Sequence, residues 1–138
     1  MIIKDEIYAL LGRKKLSKTP CRVEILTALY QSEHALTESE IRNALDGAFD
    51  RTTIYRTMRS FLEQDVIHSI ALDGGELKYA LNRQREKYKD QFHSHFHCES
   101  CNNVFCLSKP EFVPPYLPDG FRASGYDLLI NGRCASCE

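Results

Sequence analysis

The chain contains two Cys-x-x-Cys pairs, Cys98 with Cys101 and Cys134 with Cys137. Two residues between the cysteines allow both sulfurs of a pair to face one ion, and two pairs complete a tetrahedral shell. The spacing therefore predicts a closed, structural four-cysteine zinc site that ties residues 134–137 back to residue 98. Disulfide bonds are the alternative interpretation of the same pairs.

The N-terminus and the hydropathy of the chain favour metal over disulfides. Residues 1–6 lack the apolar segment of a secretory signal, and no run approaches the roughly 18 apolar residues that cross a bilayer. We therefore expect a cytoplasmic protein with no membrane partner, in which thiols stay reduced and paired cysteines bind metal. The length of 138 residues allows one or two small domains.

Hydrophobic periodicity predicts helices followed by a hairpin in the first half of the chain. The predicted helices cover residues 3–11, closed by Gly12, a segment that begins at Pro20, a segment that follows Thr37, and residues 50–63. Thr37 and Glu40 have the spacing of a capping box, and Asp50 can cap the last of these helices. Residues 73–75 form a turn between predicted strands at 66–70 and 77–81. This order predicts a winged helix-turn-helix whose recognition helix is residues 50–63.

Local charge supports contact with nucleic acid, although the net charge is only −1. Residues 13–22 hold five cations and no acid. In the recognition helix, Arg can fork to guanine, Thr methyl groups can pack on thymine, and Tyr can reach phosphate or thymine. The alternative is that Tyr55 is half-buried and the arginines pair with nearby acids. The residues that we expect to contact double-stranded DNA are Lys15, Lys18, Arg22, Arg51, Thr52, Thr53, Tyr55 and Arg56.

Four segments of the chain, residues 19–26, 50–58, 93–101 and 132–137, resemble the ferric uptake regulator family. T-x-Y-R in the recognition helix followed by H-x-H-x-x-C-x-x-C is a specific combination. The resemblance implies a metal-responsive transcriptional repressor that binds palindromic operators as a homodimer. It also implies an α+β fold, with a winged helix-turn-helix DNA-binding domain at residues 1–82, a hinge at 83–91, and a small α/β dimerisation and metal-binding domain at 92–138.

The resemblance further implies a regulatory metal site in the second domain. His93 and His95 match the H-x-H of the family, and alternate residues of a strand share one face. Cys106 stands where the family usually has a carboxylate, eight residues after the first cysteine. A thiolate makes the ligand set softer, which favours zinc over iron or manganese as the second divalent metal.

The fourth ligand of the regulatory site is expected to be His34, one residue N-terminal of the position that the family uses. Ala80 stands where the family has a further carboxylate, so that ligand is missing. Glu86 or Asp90 in the hinge is the alternative to His34. His97 is not needed to complete the shell and is expected to lie outside it.

The dimerisation domain departs from the family in the segment where a helix is expected. Prolines at positions 114 and 115 remove helical hydrogen bonds and clash with the preceding turn. Any helix between residues 107 and 121 is therefore expected to be short, covering residues 109–113. A predicted strand at 126–130 leads to Gly132 and the second cysteine pair.

Three other functions compete with a metal-responsive regulator. A zinc nucleobase deaminase needs H-x-E and then P-C-x-x-C; His97-Cys98-Glu99 matches the first motif, but no proline precedes either cysteine pair, so we do not expect an enzyme. A constitutive DNA-binding protein with only structural zinc would follow if His93, His95 and Cys106 do not converge. A redox- or haem-responsive regulator of the same fold would act through Cys106 as a thiolate beside imidazoles.

Overall fold

Helices and strands form two units along the chain, Met1–Asn82 and Arg83–Glu138. The structure is a computed structural model that describes residues 2–82, 92–107, 117–123 and 126–137, without the side chains of Ile2, Phe92, His93, Tyr126 and Asp127. The predicted hinge at 83–91 and the predicted short helix at 109–113 lie outside these residues. The described elements are those of an α+β protein, as predicted. None of the described helices is long and apolar enough to cross a membrane.

The first unit consists of four helices and a two-stranded hairpin. In chain order they are α1 (Ile2–Arg13), α2 (Pro20–Gln31), α3 (Glu38–Ala44), α4 (Arg51–Glu63), β1 (Ile67–Ala71) and β2 (Leu77–Leu81). The two strands pair antiparallel, with Ile67 opposite Leu81. Leu36, just before α3, forms an antiparallel bridge with Tyr79 on β2 through two backbone hydrogen bonds of 2.9 and 2.7 Å. The hairpin is therefore joined to the segment that leads into α3.

The first helix ends later than the sequence predicts. Gly12 lies inside α1, and the chain leaves the helix at Lys15, which adopts a left-handed φ of 57°. The backbone N–H of Leu16 donates to the Leu11 carbonyl at 2.9 Å, and that of Lys15 donates to the Gly12 carbonyl at 3.1 Å. This pair of bonds is a Schellman motif, which satisfies the last helical carbonyls. The prediction that Gly12 closes the helix was wrong because a lysine, and not a glycine, occupies the left-handed position.

Side-chain caps begin the next three helices. The Thr19 hydroxyl accepts from the backbone N–H of Arg22 ahead of α2, and Asp50 accepts from that of Thr53 ahead of α4. The capping box predicted for α3 is confirmed, because Thr37 and Glu40 each accept the other's backbone N–H, at 3.1 and 3.0 Å. The predicted cap at Asp50 is also confirmed, and the helical residues of α4 start at Arg51, just after it.

The core of the first unit orients α4. One face of this helix buries Ile54, Met58 and Phe61 against apolar side chains of the other helices. Burial of each large apolar side chain stabilises the folded protein by about 1.5–3 kcal/mol, so this face of α4 stays turned toward the core. The opposite face, which carries the arginines, is left exposed. Cys21 is buried in the same core, as expected of a small packed residue.

Replacing Thr37 with alanine tests the capping box. Thr37→Ala removes the oxygen that accepts the Glu40 N–H, so we expect the free energy of unfolding to fall by about 1 kcal/mol. Urea unfolding monitored by circular dichroism measures the change. Ser39→Ala is the matched control, since Ser39 lies exposed in the same helical turn without a capping role. Equal losses in the two variants would rule out the capping contribution.

The second unit contains a three-stranded sheet. Its strands are β3 (Phe92–Cys98), β4 (Val104–Cys106) and β5 (Tyr126–Gly132), in the order β4-β3-β5. Strand β3 pairs antiparallel with β4 and parallel with β5, and Cys98 lies opposite Gly132. Because β3 and β5 run in the same direction, both reach the same end of the sheet. The two cysteine pairs follow at that end.

Candidate metal centre and nucleic-acid interface

The four paired cysteines come together at one end of the sheet. Their sulfur atoms all lie within 4.8 Å of one another, and the Sγ atoms of Cys101 and Cys134 are 3.9 Å apart. Two sulfurs on a tetrahedral zinc ion, with bonds of about 2.3 Å, lie about 3.8 Å apart. The cluster therefore fits a four-coordinate metal ion.

Backbone N–H groups polarise the most buried of these thiols. Cys98 is fully buried, and its Sγ accepts from the N–H of Cys101 at 3.4 Å and from that of Cys134 at 3.3 Å. These bonds stabilise the thiolate and lower the pKa of Cys98 to about 6. The sulfurs of Cys134 and Cys101 act oppositely on Cys137 and raise its pKa to about 12. A metal ion would displace the remaining protons, since thiolates are the ligands.

The loop of the first cysteine pair is tied to both neighbouring strands. The Cys98 N–H donates to the Asn103 carbonyl at 2.9 Å, and the Asn102 N–H donates to the Cys98 carbonyl at 2.8 Å. The Glu99 N–H donates to the Gly132 carbonyl at 2.8 Å, across to the end of β5. A Cβ atom at Gly132 would lie 3.1 Å from the Phe96 ring, so glycine permits this close approach.

Two of the proposed regulatory ligands face each other across the sheet. His95 on β3 lies directly opposite Cys106 on β4, and their ligand atoms are within 4.8 Å. His95 is 6% exposed, whereas Cys106 is exposed. Directly opposite residues of an antiparallel pair present their side chains on the same face. His93 precedes His95 by two residues on β3, but its side chain lies outside the described residues.

His34, the proposed fourth ligand, is described within the first unit. Its Nδ1 is 3.1 Å from the Ala35 carbonyl, and its backbone N–H donates to the Ser32 hydroxyl at 3.2 Å. A carbonyl can only accept, so Nδ1 is the protonated nitrogen and the lone pair of the neutral ring is on Nε2. That is the tautomer in which a histidine binds a metal through Nε2. Glu86 and Asp90, the alternatives to His34, lie outside the described residues.

The exposed face of α4 carries the residues expected to read DNA. Arg51, Thr52, Thr53, Tyr55 and Arg56 are all exposed, and Tyr55 has 54% of its surface accessible. The alternative of a half-buried tyrosine is therefore wrong in this unit. Neither arginine forms an ion pair within the described parts of the chain. Asp50 is occupied as a cap, and the hydrogen bonds from Thr53 hold its pKa below the usual value.

The three expected contacts from the first basic segment differ in their local bonding. Lys15 is exposed at the left-handed turn after α1. The Lys18 ammonium lies 4.7 Å from the centroid of the Tyr8 ring, which is a cation–π distance. Arg22 donates from Nη1 to the Ser17 carbonyl at 3.0 Å and to the Ser17 hydroxyl at 2.8 Å. Arg22 thus braces the α1–α2 loop in addition to any contact with DNA.

Sequence reasoning missed a polar network beside the cysteine cluster. His97 bonds through Nδ1 to Asn131 Oδ1 at 3.0 Å and through Nε2 to Asn102 Oδ1 at 2.7 Å. His97 was expected only to lie outside the ligand set. The available signal was Asn102 directly after a Cys-x-x-Cys pair, since asparagine tolerates the left-handed φ of 63° found there. No sequence pattern near Asn131 predicts its bond to His97, because that bond depends on the register between β3 and β5.

Known proteins share this fold along nearly the whole chain. The ferric uptake regulator of Helicobacter pylori, described with three functional metal binding sites, aligns with a TM-score of 0.66 at 16% identity, over 99% of this chain and 91% of that chain. A zinc-bound manganese uptake regulator also has a TM-score of 0.66, at 20% identity over 93% of this chain and 98% of its own.

Sequence comparison identifies the family. A ferric uptake regulation protein from Campylobacter upsaliensis is 25% identical over 146 residues, covering 99% of this chain and 90% of that protein. The model of the Ferric uptake regulator family matches residues 13–114, which is more than half of the chain and includes α2 to α4, the hairpin and the first cysteine pair. The chain therefore belongs to the ferric uptake regulator family.

Proposed function

We propose that this protein is a metal-responsive, DNA-binding transcriptional repressor that acts as a homodimer on palindromic operators. Membership of the family supports a regulator and not an enzyme. The observation that carries the proposal is the exposed, cationic face of α4 in a chain that also assembles a four-cysteine cluster. We assign DNA binding to residues 1–82, a hinge to 83–91, and dimerisation and metal binding to 92–138.

The proposed DNA-binding domain is a winged helix-turn-helix. Helices α3 and α4 are its helix-turn-helix, and the β1–β2 hairpin is its wing. In this arrangement the second helix enters the major groove with its N-terminal residues toward the bases. Arg51, Thr52, Tyr55 and Arg56 would then meet base edges or phosphates. Lys15, Lys18 and Arg22 would contact the backbone from the α1–α2 side.

The proposed structural metal is zinc, held by Cys98, Cys101, Cys134 and Cys137. Four thiolates with no open position are typical of structural zinc sites. The sulfur separations described above support this assignment. When bound, zinc supplies folding free energy to the second unit, because a preformed site is absent from the unfolded chain.

The proposed sensor is a second divalent metal site at His93, His95 and Cys106, with His34 as the fourth ligand. The adjacency of His95 and Cys106 across β3 and β4 supports it. Two imidazoles and a thiolate favour zinc over iron or manganese. A ligand from the DNA-binding domain would let the metal select one conformation by its differential affinity, which is the requirement for a switch.

Exchange of Cys106 tests the sensor. Cys106→Ser removes the thiolate while leaving the four-cysteine cluster intact, so we expect the zinc concentration for half-maximal DNA binding to rise about tenfold. Fluorescence anisotropy with an operator selected from a random duplex library measures this. Cys106→Asp is the matched variant: a hard carboxylate should retain the switch but shift it toward Fe²⁺ or Mn²⁺. DNA binding by the wild-type protein without a second metal would favour a constitutive DNA-binding protein.

A redox-responsive regulator of the same fold is the second candidate, and the exposure of Cys106 beside His95 favours it. The thiolate would attack one oxygen of hydrogen peroxide and form the S–O bond of a sulfenic acid, while the O–O bond breaks and the other oxygen leaves as hydroxide. In that case peroxide abolishes DNA binding by the wild-type protein but not by Cys106→Ser. Haem binding at Cys106 would instead give an absorption band that Cys106→Ser removes.

A further inference from the structure

His97 bonds to the two segments that carry the cysteine pairs. It is the penultimate residue of β3, directly before Cys98, and it is half-buried. Its Nε2 is 2.7 Å from Asn102 Oδ1, and its Nδ1 is 3.0 Å from Asn131 Oδ1. The ring therefore joins two asparagines that belong to different segments of the metal centre.

Asn102 belongs to the loop of the first pair. It follows Cys101 directly and holds a left-handed φ of 63°, while its N–H donates to the Cys98 carbonyl at 2.8 Å. The loop is thus closed through its backbone at Cys98 and through its side chain at His97. Both restraints act on the residue next to a ligand, so they limit where the Cys101 sulfur can move.

Asn131 belongs to the strand that leads to the second pair. It lies opposite His97 in the parallel β3–β5 pairing and precedes Cys134 by three residues. Within the described residues, the Glu99 N–H donates to the Gly132 carbonyl at 2.8 Å, and the Cys134 N–H donates to the Cys98 sulfur at 3.3 Å, so backbone groups also join the first loop to this segment. The imidazole therefore adds a side-chain connection across the boundary that the metal must bridge.

The chemistry of the three side chains is complementary. A neutral imidazole donates from one nitrogen and accepts at the other, and an asparagine amide offers both an oxygen acceptor and NH₂ donors. Because the oxygen and nitrogen of an amide are assigned from their bonding, rotation of one amide satisfies both bonds to a neutral ring. The two ring nitrogens of His97 can thus bond to both asparagines.

We propose that His97 is a positioning residue of the four-cysteine site, which links the two cysteine pairs and orders them before zinc binds. The inference rests on the proposed zinc site. Without such a link, part of the free energy of zinc binding is used to bring the two cysteine pairs together. Ordering of the pairs before binding therefore increases the affinity for zinc and slows its release. Residues outside the ligand set that orient ligands typically change metal affinity 10–100-fold.

Zinc affinity measured by chelator competition on the full-length chain tests this role. His97→Phe keeps an aromatic ring but removes both hydrogen bonds, so we expect zinc affinity about tenfold weaker and release correspondingly faster. His97→Gln, which can still bond to one asparagine, should recover part of the loss. The cobalt(II) form should keep its thiolate-to-metal absorption bands, since all four ligands remain.

Two asparagine variants separate this role from general destabilisation. Asn131→Ala should weaken zinc binding by about as much as His97→Phe. The variant that carries both changes should bind zinc no more weakly than His97→Phe alone, because both changes remove the same hydrogen bond. Asn102→Gly removes the amide but accommodates the left-handed φ of 63°, so it should also weaken zinc binding like His97→Phe. Wild-type affinity and release in His97→Phe, or strictly additive losses in the double variant, would overturn the proposal. Failure of the wild-type chain to bind zinc would instead refute the four-cysteine site itself.

Discussion

Cys134→Ser is expected to remove the structural zinc and to unfold the second unit. The serine hydroxyl is a poor zinc ligand, whereas the backbone N–H that donates to the Cys98 sulfur is retained, so the variant removes only the thiolate. Structural zinc in small domains contributes about 10–16 kcal/mol of apparent binding free energy, which is as large as the whole stability of a typical domain. Elemental mass spectrometry of protein purified without chelator, with thermal unfolding of the same sample, measures both effects. The dimer is expected to be lost with the fold of this unit.

Cys106→Ser is the matched control for that experiment. It removes an exposed thiol from the same unit but lies outside the four-cysteine cluster. One zinc ion per chain should therefore remain, and the unfolding temperature of the second unit should stay close to that of the wild-type protein. A Cys134→Ser protein that keeps its zinc and its cooperative unfolding would contradict the four-cysteine assignment.

Arg56→Ala is expected to weaken operator binding by about 1–3 kcal/mol if the guanidinium forks to a guanine. Arg56 is exposed in the N-terminal half of α4 and forms no close ion pair with a described acid, although its charge helps to lower the pKa of Asp50. The loss should be accompanied by relaxed preference at one base position. Binding titrations on the selected operator and on a scrambled duplex of the same length measure affinity and preference together.

Arg59→Ala gives the comparison within the same helix. Arg59 lies about one helical turn after Arg56 in α4, and its Nε is 3.3 Å from Glu63 Oε1. Exposed ion pairs contribute little to stability, so the free energy of unfolding of this variant should change by less than about 0.5 kcal/mol. Because the Arg59 guanidinium is engaged by Glu63, we expect a smaller loss of operator binding than in Arg56→Ala. If Arg56→Ala weakens both duplexes equally, Arg56 contacts phosphate and does not read a base.

Features set by local chemistry could be predicted from the sequence. The capping box at Thr37 and Glu40, the cap at Asp50 and the hairpin turn all depend on residues a few positions apart. The convergence of the four cysteines could also be predicted, since one metal ion imposes it whatever lies between the pairs. The end of α1 could not, because Lys15 in a left-handed conformation has no distinctive pattern.

Features set by strand register were beyond sequence reasoning. Nothing local places Asn131 opposite His97, since this pairing depends on the parallel register of β3 with β5. The resemblance to the family predicted that His95 and Cys106 share a site, but it did not predict that they lie directly opposite each other on β3 and β4. The bracing of the α1–α2 loop by Arg22 was missed for a related reason. A cation in a basic run is compatible with a contact to DNA or to the backbone, and only the three-dimensional path of residues 13–22 distinguishes them.

The parallel pairing of β3 with β5 bears on how the second unit reaches its native state. The β3–β4 hairpin joins neighbouring segments, whereas His97 and Asn131 are separated by 34 positions. Pairing of β3 with β5 requires closure of a long loop, and the entropy of that closure is lost before the new contacts stabilise the sheet. We therefore expect β5 to join the sheet last. A zinc ion that binds first to Cys98 and Cys101 would then bind Cys134 and Cys137, which would bring β5 to β3 sooner. The same four sulfurs then affect the folding rate of this unit as well as its stability. When zinc is scarce, newly made chains would stay partly folded, with the edge of β3 not yet paired to β5.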